Sequence, residues 1–536
     1  MEQRVNNRFG LILCGVVLFV MFALYSWDMK SCFDPDELFY YKSSQSLSDY
    51  KNIFAPKYFN EPRFQKPPLF YLLVFLSFKL FGVSWFSARL VSVAASVLTV
   101  VVVYLLGLKM FDREKAFLAA GATATAALFF RFGRVALPEM TMLFFIVTAA
   151  YFGYRAFTEK RTGLFYAAFL AMALGTFVKG PIAFIIPLAV FIVFKATNRR
   201  ELEGVNVPWF KGSLLVAASA LLWLVPAALI YGREFTNHIV GVEIVDRFKD
   251  KSTALSLTGQ AAHYFKKISF YFPVLIAQYL PWSAILPGAL LFTIKNRARP
   301  DRPLERKYLV LWVVTGFIFF TALPAKRMHY VMSLFPFLSL YLVSFLDLED
   351  LKLRKVMKNL LYTAVGVYLA SAVLLFPLIF SDGVDRLAVK AKVMTEKDNV
   401  PLAVSWRLDP QEVELHLDRP VVTIWGGYFD DRSKKTSVFD GVELTPRRDG
   451  LLFYLLADER FMTGEGTYYI TFVLDQVKRF HGDKIRLDKV NTDWRWRKTI
   501  LFKKCIEDTR KDPGSVIQNL ERAFQEDVHL IGVYKE

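Results

Sequence analysis

The sequence predicts a polytopic α-helical membrane protein, with about 11 transmembrane helices plus interfacial helices, followed by a C-terminal soluble α/β domain. Three observations predict it. The chain has 536 residues, 54% of them apolar and 16% aromatic, a composition that excludes a disordered or fibrous chain. Uncharged apolar runs recur at roughly 18 or more residues, the length a helix needs to cross the hydrocarbon core. The charge is also unevenly placed: residues 382–536 carry 26 Lys+Arg against 27 Asp+Glu, which leaves 41 against 22 in the first 381 residues. The net charge of +18 therefore flanks hydrophobic runs, where it acts as an orientation signal and calls for no nucleic acid partner.

The first apolar run, Phe9–Trp27, follows Arg4 and Arg8, lacks a small-residue cleavage site and precedes Asp34-Pro35-Asp36-Glu37, so it reads as an uncleaved span with a cytoplasmic N-terminus. The next run, Leu69–Phe81, is too short to cross and contains Lys79; it is expected to lie along the interface as a half-immersed helix. Further spans are expected over about 86–108, 116–131, 138–157, 164–178, 180–196, 213–231, 268–291, 308–324, 328–346 and 358–380. Loop charge supports this count. With 69–81 left out, the basic stretches Lys109–Lys115, Glu159–Arg161, Lys195–Arg200, Lys295–Lys307 and Lys352–Lys358 all fall on the cytoplasmic side.

The transmembrane domain is accordingly residues 1–381, with outer loops 28–85 and 232–267, and the soluble domain is residues 382–536. In the latter, short β-type runs at Leu402–Trp406, Val421–Trp425, Leu451–Leu456, Tyr468–Leu474 and His529–Tyr534 alternate with helix-compatible segments such as Pro513–Asp527.

Charged groups at a membrane face are costly unless paired or functional, so acids and bases beside the outer span ends are the candidates for chemistry. Asp36 and Glu37 stand just beyond the first span, where capping of a helix explains them equally well. Lys66, before Pro67-Pro68, could equally snorkel to lipid phosphates. Arg131, Arg134 and Glu139 adjoin two spans and could be a structural ion pair. The 232–267 loop holds His238, Glu243, Asp246, Arg247 and His263, but the two histidines stand too far apart for metal-ligand spacing. Lys326, Arg327, His329 and Tyr330 cluster at the mouth of a later span, as lipid-headgroup contacts also would. All five groups fall on the same predicted side. Cations there can hold a phosphate as it leaves, while a carboxylate takes a proton from an incoming hydroxyl.

The order of motifs resembles the GT-C glycosyltransferases that use polyprenyl-phosphate sugars, in particular the bacterial aminoarabinose transferases of lipid A and, more distantly, the protein O-mannosyltransferases. The likeness rests on Asp36-Glu37 with Tyr40, Lys66-Pro67-Pro68-Leu69, Arg89, Leu137-Pro138-Glu139-Met140, Val178-Lys179-Gly180-Pro181, Asp246-Arg247-Phe248, Tyr279-Leu280-Pro281-Trp282, and Lys326-Arg327-Met328-His329-Tyr330 with Pro336. The resemblance implies Asp36 as the acidic catalytic residue and Glu139 as a second acid. It also implies that Lys66, Lys179, Arg247, Lys326, Arg327 and Tyr330, with Glu37 and Tyr40, bind the donor phosphate or substrate. Transfer would invert the anomeric carbon.

Many aminoarabinose transferases have Arg where this chain has Phe39, and Glu where it has Gln65; both changes remove charge from the donor region. The implied partners are an undecaprenyl- or other polyprenyl-phosphate-linked sugar, membrane lipids, and lipid A or another envelope acceptor. A protein acceptor stays open beside lipid A. A flippase of lipid-linked sugars is the alternative from another class, although it should show midplane charges and a twofold repeat. No motif names a cofactor, and a divalent cation is left open. The expected setting is the inner membrane, with the site and C-terminal domain in the periplasm.

Overall fold

The computed structural model describes residues 36–49, 52–58, 61–241, 269–287, 303–323, 326–346 and 350–370, together with five strands between residues 402 and 535. The expected first span, the loop that holds Asp246, Arg247 and His263, and the expected strand at Tyr468–Leu474 lie outside the described residues.

The helical unit takes in α1 (Asp36–Gln45) from Phe39 onward, a two-stranded hairpin of β1 (Lys57–Tyr58) and β2 (Glu61–Pro62), and α2 (Leu69–Phe81). The expected interfacial helix over 69–81 is therefore present with those bounds, opened by Pro68 and ended at Gly82. Aromatic rings seat α1 on it: Tyr40 packs against Phe70 and Tyr71 with centroids 5.3 and 5.1 Å away, and Tyr41 against Phe78 at 5.3 Å. The ring of Tyr40 is thus a packing element, buried to 6% exposure.

Seven helices follow as α3 (Trp85–Met110), α4 (Arg113–Thr125), α5 (Ala127–Phe132), α6 (Pro138–Thr158), α7 (Thr162–Lys179), α8 (Ile182–Thr197) and α9 (Trp209–Asn237). Their starts are chemically marked. Ser84 caps α3 by accepting from Ser87 N, Asp112 caps α4 by accepting from Glu114 N and Lys115 N, and Pro138 opens α6. Among the described residues α3, α6, α7 and α9 are long and apolar enough to cross a membrane, whereas α2 and α8 are shorter apolar helices. Leu229 and Phe210 on α9, 81% and 80% exposed, suit contact with lipid.

Three expected spans depart from a single α-helix among the described residues; one of them, 328–346, opens as a 3-10 segment at Met328–Leu334. The run over 116–131 breaks at Ala126 into α4 and α5, and the described part of the run over 268–291 is interrupted after α10 (Tyr271–Gln278) by a short 3-10 turn at Trp282–Ala284. The two breaks satisfy one another. Ala127 N donates to Leu280 O at 3.1 Å, and the buried Trp282 indole N–H donates to Thr125 Oγ1 at 2.9 Å. Tyr279 OH meets Ser339 Oγ at 2.7 Å. Pro281 has no N–H to continue a helix, so the Tyr279–Trp282 segment turns and fills the gap in its neighbour.

The unit ends with α11 (Pro303–Ala322), a 3-10 segment at Met328–Leu334, α12 (Phe335–Ser344) and α13 (Leu351–Ala370). The Lys352–Lys358 stretch, expected as a loop, is the start of α13; Arg354 Nε and Lys358 Nζ both sit 2.6 Å from Glu114 Oε1. Lys109 pairs with Glu159 at 3.1 Å, and Lys307 donates to Asn198 Oδ1 at 3.0 Å. These contacts gather the basic clusters that loop charge had grouped at one end of the bundle. Small residues let helices approach closely: a Cβ on Gly153 would lie 2.0 Å from Phe191 Cζ, and one on Gly107 2.8 Å from Ala116 Cα.

The strands β3 (Leu402–Ser405), β4 (Val422–Ile424), β5 (Leu451–Asp458), β6 (Ile485–Arg497) and β7 (Gln525–Lys535) form one mixed sheet in the order β4-β3-β5-β7-β6. The β3 strand pairs in parallel with β4 and β5, while β7 runs antiparallel to β5 and β6. Four of the expected β-type runs coincide with β3, β4, β5 and β7. Gln525–Asp527, expected to end a helix, begins β7 instead, and β6 was not anticipated because Ile485–Arg497 is rich in charge. Its place at a sheet edge allows that composition.

At the basic end of the bundle, the hydrogen bond from Arg155 holds the Glu159 carboxyl down at about 2, below its ordinary value. A carboxylate with a lowered pKa contributes stability above pH ~4.5 that is lost as pH falls towards 2. Glu159→Gln should therefore flatten the acid limb of thermal stability in that window, by about 1 kcal/mol or less because the pair is partly exposed.

Candidate active site

Glu139 is the second residue of α6, and Lys179 is the last residue of α7. The two helices form an antiparallel pair, so the first turn of one lies beside the last turn of the other. Each side chain carries the charge that its own helix end favours, acid at the N-terminus and base at the C-terminus. Gly180 ends α7 at φ 109°, a left-handed conformation open to glycine, and Pro181 then begins the next helix. The Val-Lys-Gly-Pro motif is thus a helix stop that leaves Lys179 at the bundle end.

There Lys179 Nζ forms a close ion pair with Glu139 Oε1, with both side chains about one-tenth exposed. His329 Nε2 approaches the same oxygen at 3.4 Å. The imidazole is held between Phe132 and Tyr330, with centroids at 5.4 and 5.0 Å. The other carboxylate oxygen, Glu139 Oε2, is buried and has no hydrogen-bond partner among the described residues. The cluster lines a cavity of about 20 Å³ together with Phe320, Tyr330 and Ser333. A buried acceptor beside such a space can take a hydrogen bond from a donor that enters it.

The structure therefore brings Glu139, Lys179 and Tyr330 together, and adds His329, whose contact with Glu139 spans nearly two hundred residues of sequence and leaves no local signal. Lys326 is differently employed: its ammonium donates to Phe320 O at 3.0 Å, at the C-terminal turn of α11, and lies 5.3 Å from the Tyr271 ring. Arg327 is exposed, and its backbone N–H donates to Tyr271 OH at 3.4 Å.

Lys66 precedes α2 and donates to Gln65 O at 2.8 Å. Gln65 Oε1 is buried without a partner among the described residues. Arg63, not anticipated from sequence, lies 4.1 Å above the Phe39 ring, which also meets Tyr58 edge-on at 4.7 Å. A cation thus stands at Phe39 from the neighbouring loop. Asp36 and Glu37 occupy the first turn of α1, Asp36 exposed and Glu37 buried. Among the described residues no three His, Cys, Asp or Glu side chains gather as metal ligands.

Residues 65–227 match a family described as dolichyl-phosphate-mannose-protein mannosyltransferase. Over 384 residues, 70% of this chain and 72% of the relative, it is 26% identical to an uncharacterised protein of Aquifex aeolicus (strain VF5). It is also 28% identical to an undecaprenyl phosphate-alpha-4-amino-4-deoxy-L-arabinose arabinosyl transferase of Proteus mirabilis (strain HI4320), over 63% of this chain and 61% of that one. The crystal structure of ArnT from Cupriavidus metallidurans bound to undecaprenyl phosphate superposes with a TM-score of 0.63 at 16% identity, covering 97% of this chain and 98% of that one. These matches bear out the resemblance to GT-C glycosyltransferases, and with it the reading of the chain as a glycosyltransferase with a lipid-linked donor.

The buried pair makes a stability prediction. Lys179→Met alone should strand the Glu139 carboxylate and cost about 3–5 kcal/mol in unfolding of the purified protein, whereas Lys179→Met with Glu139→Gln should recover most of that loss. Additive losses in the double variant would contradict the pairing.

Proposed function

We propose that the chain transfers a sugar, with inversion, from undecaprenyl phosphate or a similar polyprenyl phosphate to an envelope acceptor, with lipid A as the acceptor. The observation that carries this reading is the buried Glu139–Lys179–His329 cluster at the bundle end opposite the basic contacts, of which Glu139 and Lys179 fall within the segment that matches the family. The similarity to the arabinosyl transferases and to the ArnT complex with undecaprenyl phosphate supports the donor class.

In this reading the acceptor oxygen bonds to the anomeric carbon as the bond from that carbon to the phosphate oxygen breaks. The electron pair leaves with the polyprenyl phosphate. Lys66, Arg247, Arg327 and Tyr330 hold that phosphate, and Lys326 joins them if its ammonium gives up a carbonyl of α11. Asp36 takes the proton of a hydroxyl acceptor. A phosphate acceptor arrives largely ionised, and Asp36 then orients it or balances the cations. Glu139 is the second acid, fixed through one oxygen by Lys179 and presenting the other to substrate. Glu37 and Tyr40 set the position of the Asp36 helix.

The membrane domain in this proposal is residues 1–381 and the periplasmic α/β domain residues 382–536, with the N-terminus cytoplasmic and the site periplasmic. Transfer to protein is the second reading, favoured by the family match over residues 65–227. Relative to aminoarabinose transferases, Phe39 and Gln65 remove charge from the donor region.

Membranes containing wild type, Asp36→Asn or Lys66→Ala, given a labelled polyprenyl-phosphate sugar, test the proposal. Asp36→Asn is expected to lose about 10²–10⁴-fold in rate with a hydroxyl acceptor. Lys66→Ala should raise the donor KM. Full activity of Asp36→Asn would remove its catalytic assignment, and mass spectrometry of lipid A and envelope glycoproteins from a deletion strain would name the acceptor.

A further inference from the structure

At the end of the bundle opposite the Glu139 cluster, a groove of about 750 Å³ opens between the C-terminal half of α8 and the start of α9. Its α8 wall is a stripe at helical spacing: Leu188 and Ile192 first, then Lys195 and Ala196, then Arg199 just beyond the helix end. The facing wall holds Trp209 and Ser213 in the first turns of α9, and Leu202 and Val205 of the connecting turn close the side. Apolar surface thus lies deeper along the helix, and Lys195 and Arg199 line the mouth with one acid, Glu203. Ile192 is 48% exposed, so the groove is open along its length.

The mouth is built rather than frayed. Lys195 Nζ donates to Val205 O at 2.9 Å, and Lys160 Nζ to Glu203 O at 2.8 Å, which fixes the turn over the groove. Asn198, buried at the end of α8, accepts from Lys307. Residues 195–203 carry Lys195, Arg199 and Arg200 against Glu201 and Glu203, and Lys160 adds a further cation. The balance at the mouth is positive, and one lysine N–H spent on Val205 O leaves two others.

We propose that this groove binds an anionic phospholipid, its phosphate at Lys195 and Arg199 and its acyl chains along Leu188 and Ile192. An apolar groove wall that leads to two cations four residues apart in sequence has the chemistry of that molecule, and its size is that of a small-molecule site. The lipid would join α8 to α9 at the end away from the transfer site, and its binding is independent of the transferase reading.

The full-length protein, purified and stripped of lipid in detergent, is to be followed by thermal unfolding with added phosphatidylglycerol or phosphatidylcholine of the same chains. Phosphatidylglycerol should raise the midpoint by roughly 3 °C or more at saturation, and phosphatidylcholine by less. Arg199→Gln, a change at an exposed side chain, should abolish the difference between the two lipids. Ile192→Trp, which fills the slot, should remove the response to both. Equal responses of wild type to the two lipids, a full phosphatidylglycerol response in Arg199→Gln, or an unchanged response in Ile192→Trp would overturn the site.

Discussion

The interaction on which the site depends is the ion pair between Glu139 and Lys179. A carboxylate and an ammonium buried together are tolerable only if their geometry is fixed, because either alone would be a charge stranded away from water. Two backbone devices fix it. Pro138 starts α6 immediately before Glu139, and the left-handed Gly180 stops α7 immediately after Lys179. The pair engages one carboxylate oxygen, His329 approaches the same atom, and the second oxygen is buried without a hydrogen-bond partner among the described residues.

The rest of the helical unit sorts its charges by end. Glu114 with Arg354 and Lys358, and Glu159 with Lys109 and Arg155, tie the helices at the basic end. Between the ends, contact is made by small residues and rings, as at Gly153 against Phe191. The break at Ala126 is the exception, and it is sealed by the Leu280 carbonyl and the Trp282 indole. The Tyr-Leu-Pro-Trp motif, noted in the sequence as a mark of likeness, therefore has a structural use in repairing a neighbouring helix.

Legibility followed the range of the interaction. The bounds of α2 and α6 could be read closely because hydrophobic length, proline and capping residues are local. The pairing of Glu139 with Lys179 was within reach too, since both flank span ends on the same predicted side. The break at Ala126 was not, because its cause lies some hundred and fifty residues away in a segment that itself looked like a plain span. His329 was visible only as one member of a basic and aromatic cluster, and Arg63 was hidden because its partner, Phe39, carries no charge. Strand β6 escaped because an edge strand can be polar on every position that pairing does not restrict.

Transfer from a lipid-linked donor outside the cytosol requires the Glu139 end of the bundle to face away from the cytosol. Labelling intact cells, outer envelope permeabilised, with a membrane-impermeant maleimide tests this directly, using Arg131→Cys at that end and Lys160→Cys at the other in a background without Cys14, Cys32 and Cys505. Arg131→Cys should label in intact cells, and Lys160→Cys only after lysis. The reverse pattern would contradict the account.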